Sequence, residues 1–204
     1  MDAALNAILD SVWRELQRAP ADPGHPWRTP ALATVDSGTP PKDEPDVRIV
    51  VLRRCEPDHL RLTAWTDLRA PKVRQLRAEP RAVWLFYDPA ARIQVRAYAA
   101  CRILSAGPIW EREWEACPPL NRSSYLGPYA PGTRLAACDP NRPEEFRSRP
   151  PTREESERGR TQFGVIAAQV LRLDWLRLDE RGHQRARFAW TNPGEPARAD
   201  WIAP

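Results

Sequence analysis

The chain has 204 residues, of which 42% are hydrophobic and 28% charged, the composition of a globular protein with a real core. Its formal charge is only +4, its mean hydropathy is −0.63, and no stretch approaches the roughly 20 consecutive apolar residues of a membrane span. The start, MDAALNAILDSVWREL, has no basic segment ahead of its apolar residues, so a secretory signal is not expected and a cytoplasmic setting is.

Residues 3–18 carry Leu5, Ile8, Leu9, Val12, Trp13 and Leu16 at three- and four-residue intervals, which predicts an amphipathic helix ended by Pro20. The period then changes. The segments 31–35, 47–54, 59–65, 81–87 and 92–104 are rich in β-branched and aromatic residues and bounded by Pro, Gly or Asp, so each is expected to be a strand. The short links CEPD and DPAA predict antiparallel hairpins. Between the third and fourth strands, TDLRAPKVRQLRAEP reads as a short helix, with Asp67 as its cap, Pro71 near its start and Pro80 at its close. A Trp-containing helix over 108–116 leads into a loop-rich insertion, about 117–151. Thr152 and Glu155 have the capping-box spacing of a further short helix. A long, bent strand over 163–178 and another over 183–190 close the pattern across the turn ERG. One domain over 1–204 is expected, mostly β and antiparallel, a barrel with flanking α-helices. The parallel alternation of strand and helix is absent, as are GxGxxG and GxxxxGK[ST] strings, which disfavours a doubly wound nucleotide fold.

Several chemistries are disfavoured. The 31 basic residues include only Lys42 and Lys72 as lysines, and the arginines are interleaved with acids: residues 142–160 hold six Arg among five Glu. That is not the one-sided stripe of a nucleic-acid binder, so no nucleic-acid partner is expected. Cys55, Cys101, Cys117 and Cys138 show no paired spacing, and His25, His59 and His183 stand in unrelated contexts, so no metal site or disulfide framework is expected. The nine tryptophans are expected to serve mainly in packing.

The informative residues run from 48 to 96. Arg48 opens the strand string RIVVLR, Thr66 and Asp67 end the next strand, Lys72 falls in the first turn of the short helix, and Gln94 sits in QVR. Each alone reads as an ordinary surface or strand residue. Together, the ordered segments RIVVLR, AWTDLRAPK and FYDPAARIQVR resemble the FMN-binding signature of the pyridoxamine 5′-phosphate oxidase-like family. The TD-x-R-x-x-K form is most similar to its cyanobacterial-type Alr4036-like branch. The resemblance implies an antiparallel FMN-binding split β-barrel with flanking helices, and a homodimer with FMN at the subunit interface. It places Arg48, Thr66 and Lys72 on the FMN phosphate, the strand Ile49, Val50, Val51, Leu52 and Arg53 with Trp65 along the ring, and Gln94 on the ribityl chain or ring edge. A looser likeness adds Thr133, Arg134, Trp175 and Arg187 as late-loop, ring and strand contacts. The phosphate assignment agrees with the chemistry of the side chains: a guanidinium fork, a point charge and a hydroxyl suit a dianion beside free helix N–H groups.

The chain also departs from the family. Arg53 stands where the oxidase proper has Lys. Upstream of the string RSSYLG, the positions that hold the vitamin phosphate fall near Ala116 and Leu120, which can neither neutralise nor hydrogen-bond it. Arg122 and Ser124 remain as candidate substrate contacts. The resemblance therefore implies an FMN-dependent oxidoreductase with an altered, unknown small-molecule substrate. A non-catalytic flavin carrier or sensor is the alternative.

Overall fold

A computed structural model describes residues 2–38 and 43–204. Helix α1 spans Ala3–Arg18, the predicted bounds. Asp2 caps it by accepting from the Ala4 amide at 3.1 Å, and its buried face carries Leu5, Val12, Trp13 and Leu16. The nine strands are β1 (Ala31–Asp36), β2 (Glu44–Ile49), β3 (Leu52–Glu56), β4 (Arg61–Asp67), β5 (Arg81–Asp88), β6 (Ile93–Leu104), β7 (Phe163–Arg177), β8 (Gln184–Ala189) and β9 (Arg198–Trp201). They form one antiparallel sheet in the order β2-β1-β5-β6-β7-β4-β3, with β8 and β9 added beyond the second half of β7. The fold class expected from the sequence is the one observed, mostly β, antiparallel and not closed.

The path begins at β2 and ends at β3, which are neighbours in the chain. The single strand expected over 47–54 is therefore two strands, joined by Val50 and Val51. The Val50 amide donates to the Pro30 carbonyl at 3.0 Å, and the chain crosses from one end of the sheet to the other at this point. The barrel is split there. Strand β7 is long because it serves two partners on one side, β4 with its first half and β8 with its second. Its register against β6 slips at Leu171, a bulge that supplies the predicted bend.

The inner face buries Leu32, Trp84, Phe86, Val95, Leu173, Trp175 and Phe188 beneath α1. Helix α2 (Pro71–Ala78) covers the β1 side. Its N-cap is Ala70 and not Asp67, because the Asp67 carboxylate is engaged by the Arg69 amide at 2.8 Å and by the Arg69 guanidinium at 2.7 and 3.0 Å. Helix α3 (Pro108–Ala116) roofs a second cluster of Trp110, Trp114, Cys117, Tyr125, Phe163 and Val165. The insertion 117–151 contains helix α4 (Pro119–Arg122) and isolated helical turns. It folds back on itself at Gly127, where a Cβ would lie 2.4 Å from the Asn141 carbonyl oxygen, and the Gly127 carbonyl accepts from Arg69 at 2.9 Å. Helix α5 (Arg153–Ser156) carries both bonds of the capping box formed by Thr152 and Glu155. Among the described residues no helix is long and apolar enough to cross a membrane.

Candidate functional site

The chain brings Arg48, Thr66 and Lys72 together where the N-terminus of α2 meets the end of β4 and the last turn of β2. Arg48 lies on the inner side of β2, opposite Leu32. Its guanidinium donates to the Thr34 hydroxyl at 2.6 Å, the Leu32 carbonyl at 3.2 Å and the Gln75 side-chain carbonyl at 3.1 Å, and it pairs with Asp46. Gln75 in turn donates to Asp46 at 2.9 Å and accepts from Thr34 at 2.7 Å. The Gln75 amide, with Arg48 beside it, holds the Asp46 carboxyl below the usual carboxylate range. The arginine is thus fixed in place by a closed network whose members share its charge.

Lys72 reaches the Thr66 hydroxyl at 3.5 Å, the outer limit of a hydrogen bond. It has no ion pair with a carboxylate among the described residues. Burial, and then repulsion from Arg48, push its ammonium below the ordinary lysine value, against the weaker pull of Asp67 and Asp46. Helix α2 opens with Pro71, which has no N–H, and has no side-chain cap; the Val73 amide donates to the Ala70 carbonyl at 2.9 Å, so of its first three residues only Lys72 has an amide with no partner among the described residues. A half-buried ammonium without a carboxylate partner, beside a hydroxyl and an uncapped helix start, is an arrangement suited to an anion.

Thr34, Asp46 and Gln75 were missed by sequence reasoning. Two signals were available: Asp46 and Arg48 are two apart on one strand and share a face, and Gln75 is one helical turn beyond Lys72.

The other candidates separate into three groups. Val50 and Leu52 point into the core, while Ile49 is 64% exposed on the opposite side. Gln94 and Arg187 also lie on that outer face. Tyr87, Gln94 and Leu176 stand side by side across β5, β6 and β7, and Leu85, Arg96, Asp174 and Arg187 form the next row across to β8. Asp174 there is buried. Burial would raise its carboxyl, but hydrogen bonds from Arg185 and Arg96 outweigh that and hold it low. Gln94 makes no side-chain hydrogen bond among the described residues. Within one chain, then, Gln94 and Arg187 do not share a face with Arg48. Thr133 and Arg134 are exposed on the insertion, whose Gly132 passes close to Pro71 at the start of α2. Ser124 is exposed. Arg53 does not join the phosphate cluster; it stacks on Trp65 beneath α3, 4.0 Å from the ring centroid.

Two expectations need correction. Trp175 pairs with Val95 on the inner face and belongs to the main core, so it is not placed to pack on a ring at the surface. The alternation of β7 decides this: Asp174 and Leu176 take the outward positions. Arg122 is fully buried and every nitrogen is used. It donates to the Cys117 carbonyl at 2.9 Å, the Trp114 carbonyl at 2.7 Å, Ser156 at 3.4 Å and Glu157 at 2.5 Å, and it stacks on Trp114 at 4.0 Å. It holds α3, α4 and α5 together and, fully buried, offers no accessible donor to a substrate.

Residues 10–105 match the family described as pyridoxamine 5′-phosphate oxidase, FMN-binding domain. That segment, a little under half of the chain, is similar to the family. The match contains Arg48, Thr66, Lys72 and Gln94 and stops short of Thr133, Arg134, Trp175 and Arg187. It reaches the family and not a branch within it. Among solved structures, a pyridoxamine 5′-phosphate oxidase-related, FMN binding protein from Nostoc punctiforme PCC 73102 superposes with a TM-score of 0.71 at 20% identity, over 100% of this chain and 99% of that one. PhzG from Burkholderia lata 383, solved in complex with tetrahydrophenazine-1-carboxylic acid, gives 0.63 at 15% identity, over 98% and 91% of the two chains. These likenesses fix the fold as that of the family's split barrels. No curated protein sequence gives a significant match.

Proposed function

We propose that the protein is a homodimeric FMN-dependent oxidoreductase whose substrate is not pyridoxamine 5′-phosphate. The observation that carries the reading is the convergence of Arg48, Thr66 and Lys72 at the uncapped start of α2, with Lys72 left without a counter-charge. A phosphate dianion fits that site: it supplies a counter-charge for Lys72 and can accept from the ammonium, the Thr66 hydroxyl and the Lys72 amide, with the Arg48 Nε–H as a further donor. FMN, when bound, supplies the hydride or electron transfer. The residues of this chain grip its phosphate and orient the cofactor along Val50 and Val51.

The outer face supports the dimer. Val47 and Ile49, 66% and 64% exposed, continue through Ala31 and Ala33 to Leu85 and Tyr87. An apolar sheet face of this kind needs cover. It adjoins Gln94 and Arg187, which only a second subunit can bring toward the phosphate cluster. The altered substrate is supported by Ala116 and by Leu120, which is 58% exposed, with no donor at either position, and by the full engagement of Arg122.

The test is purification of the full chain with its flavin. One FMN per chain, bleached by NAD(P)H and restored by air, is expected. Arg48→Ala and Lys72→Ala should each weaken FMN binding roughly tenfold to a hundredfold, the scale of one charge-assisted hydrogen bond. Unchanged flavin content in both variants overturns the site. Retained flavin that no reductant turns over favours the carrier reading instead.

A further inference from the structure

A cavity of about 920 Å³ opens on the outer face of the sheet, a size suited to a small ligand. Its floor is one row of side chains across four strands. Ala33 on β1 stands beside Val83 on β5, Val83 beside Tyr98 on β6, and Tyr98 beside Arg172 on β7. Residues directly opposite in antiparallel strands share a face, and Ala33 also stands beside the exposed Val47. Three strand spacings make the row roughly 14 Å long. The bulge in β7 widens its far end. Val170 and Leu173 are buried, so Leu171 and Arg172 both turn outward, two in succession where a regular strand allows one.

Charge is uneven along this row. The Arg172 guanidinium lies over Tyr98, its central carbon 3.8 Å from the ring centroid. Its Nε is buried without an acceptor, and its side chain has no ion pair among the described residues. Arg96 and Arg185, also on the outer face, are by contrast met by Asp174. The other arginine lining the cavity, Arg81, donates to both Glu79 carboxylate oxygens at 2.8 and 2.7 Å and is neutralised there. Asp43 closes the opposite end, where β1 meets β2. The cavity thus has a cation without an acid at one end, an aliphatic floor, and an acid at the other.

We propose that this cavity binds an amphipathic monocarboxylate, its head on the terminal nitrogens of Arg172 and its straight apolar tail along Val83 and Ala33. A carboxylate matches the planar fork of a guanidinium. The Tyr98 ring holds that fork at the end of the row, and the tail displaces water from the aliphatic floor. Asp43 repels a second negative charge, so one anionic group is favoured over two. Arg48, Thr66 and Lys72 do not line the cavity, and its occupation does not depend on the flavin reading.

Calorimetric titration of the full chain with decanoate tests it. Decyltrimethylammonium, with the same tail and the opposite charge, and inorganic phosphate, with no tail, serve as comparisons. Decanoate is expected to bind best of the three. Arg172→Gln should weaken decanoate by roughly tenfold or more at an unchanged melting temperature. Val83→Trp fills the floor and should abolish decanoate binding. Equal affinity for decanoate and decyltrimethylammonium would mean adsorption of the tail alone and overturns the proposal. Unchanged decanoate affinity in Arg172→Gln also overturns it. So does a wild type that binds no decanoate while Val83→Trp sediments as a monomer, which would assign the floor to a second copy of the chain. FMN is titrated in parallel: failure of the wild type to bind it would defeat the flavin reading and leave the decanoate result standing.

Discussion

Burial and exposure separate the arginines of this chain by role. Arg122 is sealed among carbonyls and Glu157, Arg48 is held in a shared network, and Arg53 stacks on Trp65 with no acceptor for its buried Nε among the described residues. The sequence string RSSYLG offered Arg122 and Ser124 as equals, because a one-dimensional string carries no burial. Arg122→Ala should therefore cost stability and not substrate affinity. Loss of its bonds and of its stacking on Trp114 is expected to lower unfolding free energy by about 3 kcal/mol, measured by urea denaturation. Unaltered stability would mean that those contacts are not made. Trp175 shows the same limit. Whether it faces in or out depends on the pairing of β7 with β6, and a shift of one residue reverses the answer.

At the scale of elements, boundaries set by local chemistry were legible. Helix α1 spans 3–18 and ends before Pro20, and α5 opens with its capping box, both as the residues predict; the Asp2 cap of α1 appears only in the structure. The hairpins across CEPD, DPAA and ERG pair as expected. The division of 47–54 into β2 and β3 was not legible, since it arises where the chain crosses the split in the barrel and the run of apolar residues continues through the crossing. Strand β9 is too short and polar to announce itself and forms against β8. Helix α2 has a testable electrical consequence. Burial and Arg48 hold Lys72 low, so it loses its charge at lower pH than an ordinary lysine. FMN affinity should fall as pH rises through the alkaline range, and Lys72→Arg, charged throughout, should flatten that fall. The FMN-free fold has the opposite sign: its strained state is the protonated one, so deprotonation relieves it and stability rises with pH. Fluorescence titrations of FMN between about pH 7 and pH 10 read the difference. Parallel curves for the two proteins would remove Lys72 from the phosphate site.

For the whole molecule, the split barrel places its two sets of candidate residues on opposite faces. Arg48, Thr66 and Lys72 gather at α2, while Gln94 and Arg187 look outward beside an apolar surface. The sequence pattern listed both sets in order and could not say that one chain keeps them apart. The proposed two-fold contact through Val47, Ile49, Leu85 and Tyr87 would reconcile them. Val47→Glu lies outside the phosphate cluster and faces solvent in a single chain, so it should leave folding intact. It should nonetheless yield a monomer in sedimentation, with FMN affinity lowered at least tenfold. A dimer that survives this change would place the contact elsewhere.

The central claim is that the chain recognises the anionic tail of its flavin. It is tested most directly by comparing FMN with riboflavin in equilibrium titrations of the wild type and of the Arg48→Ala, Lys72→Ala double variant. The account predicts that FMN binds the wild type tighter by roughly a hundredfold or more, and that the double variant no longer distinguishes the two flavins. Equal affinity of the wild type for both, or for neither, would contradict it.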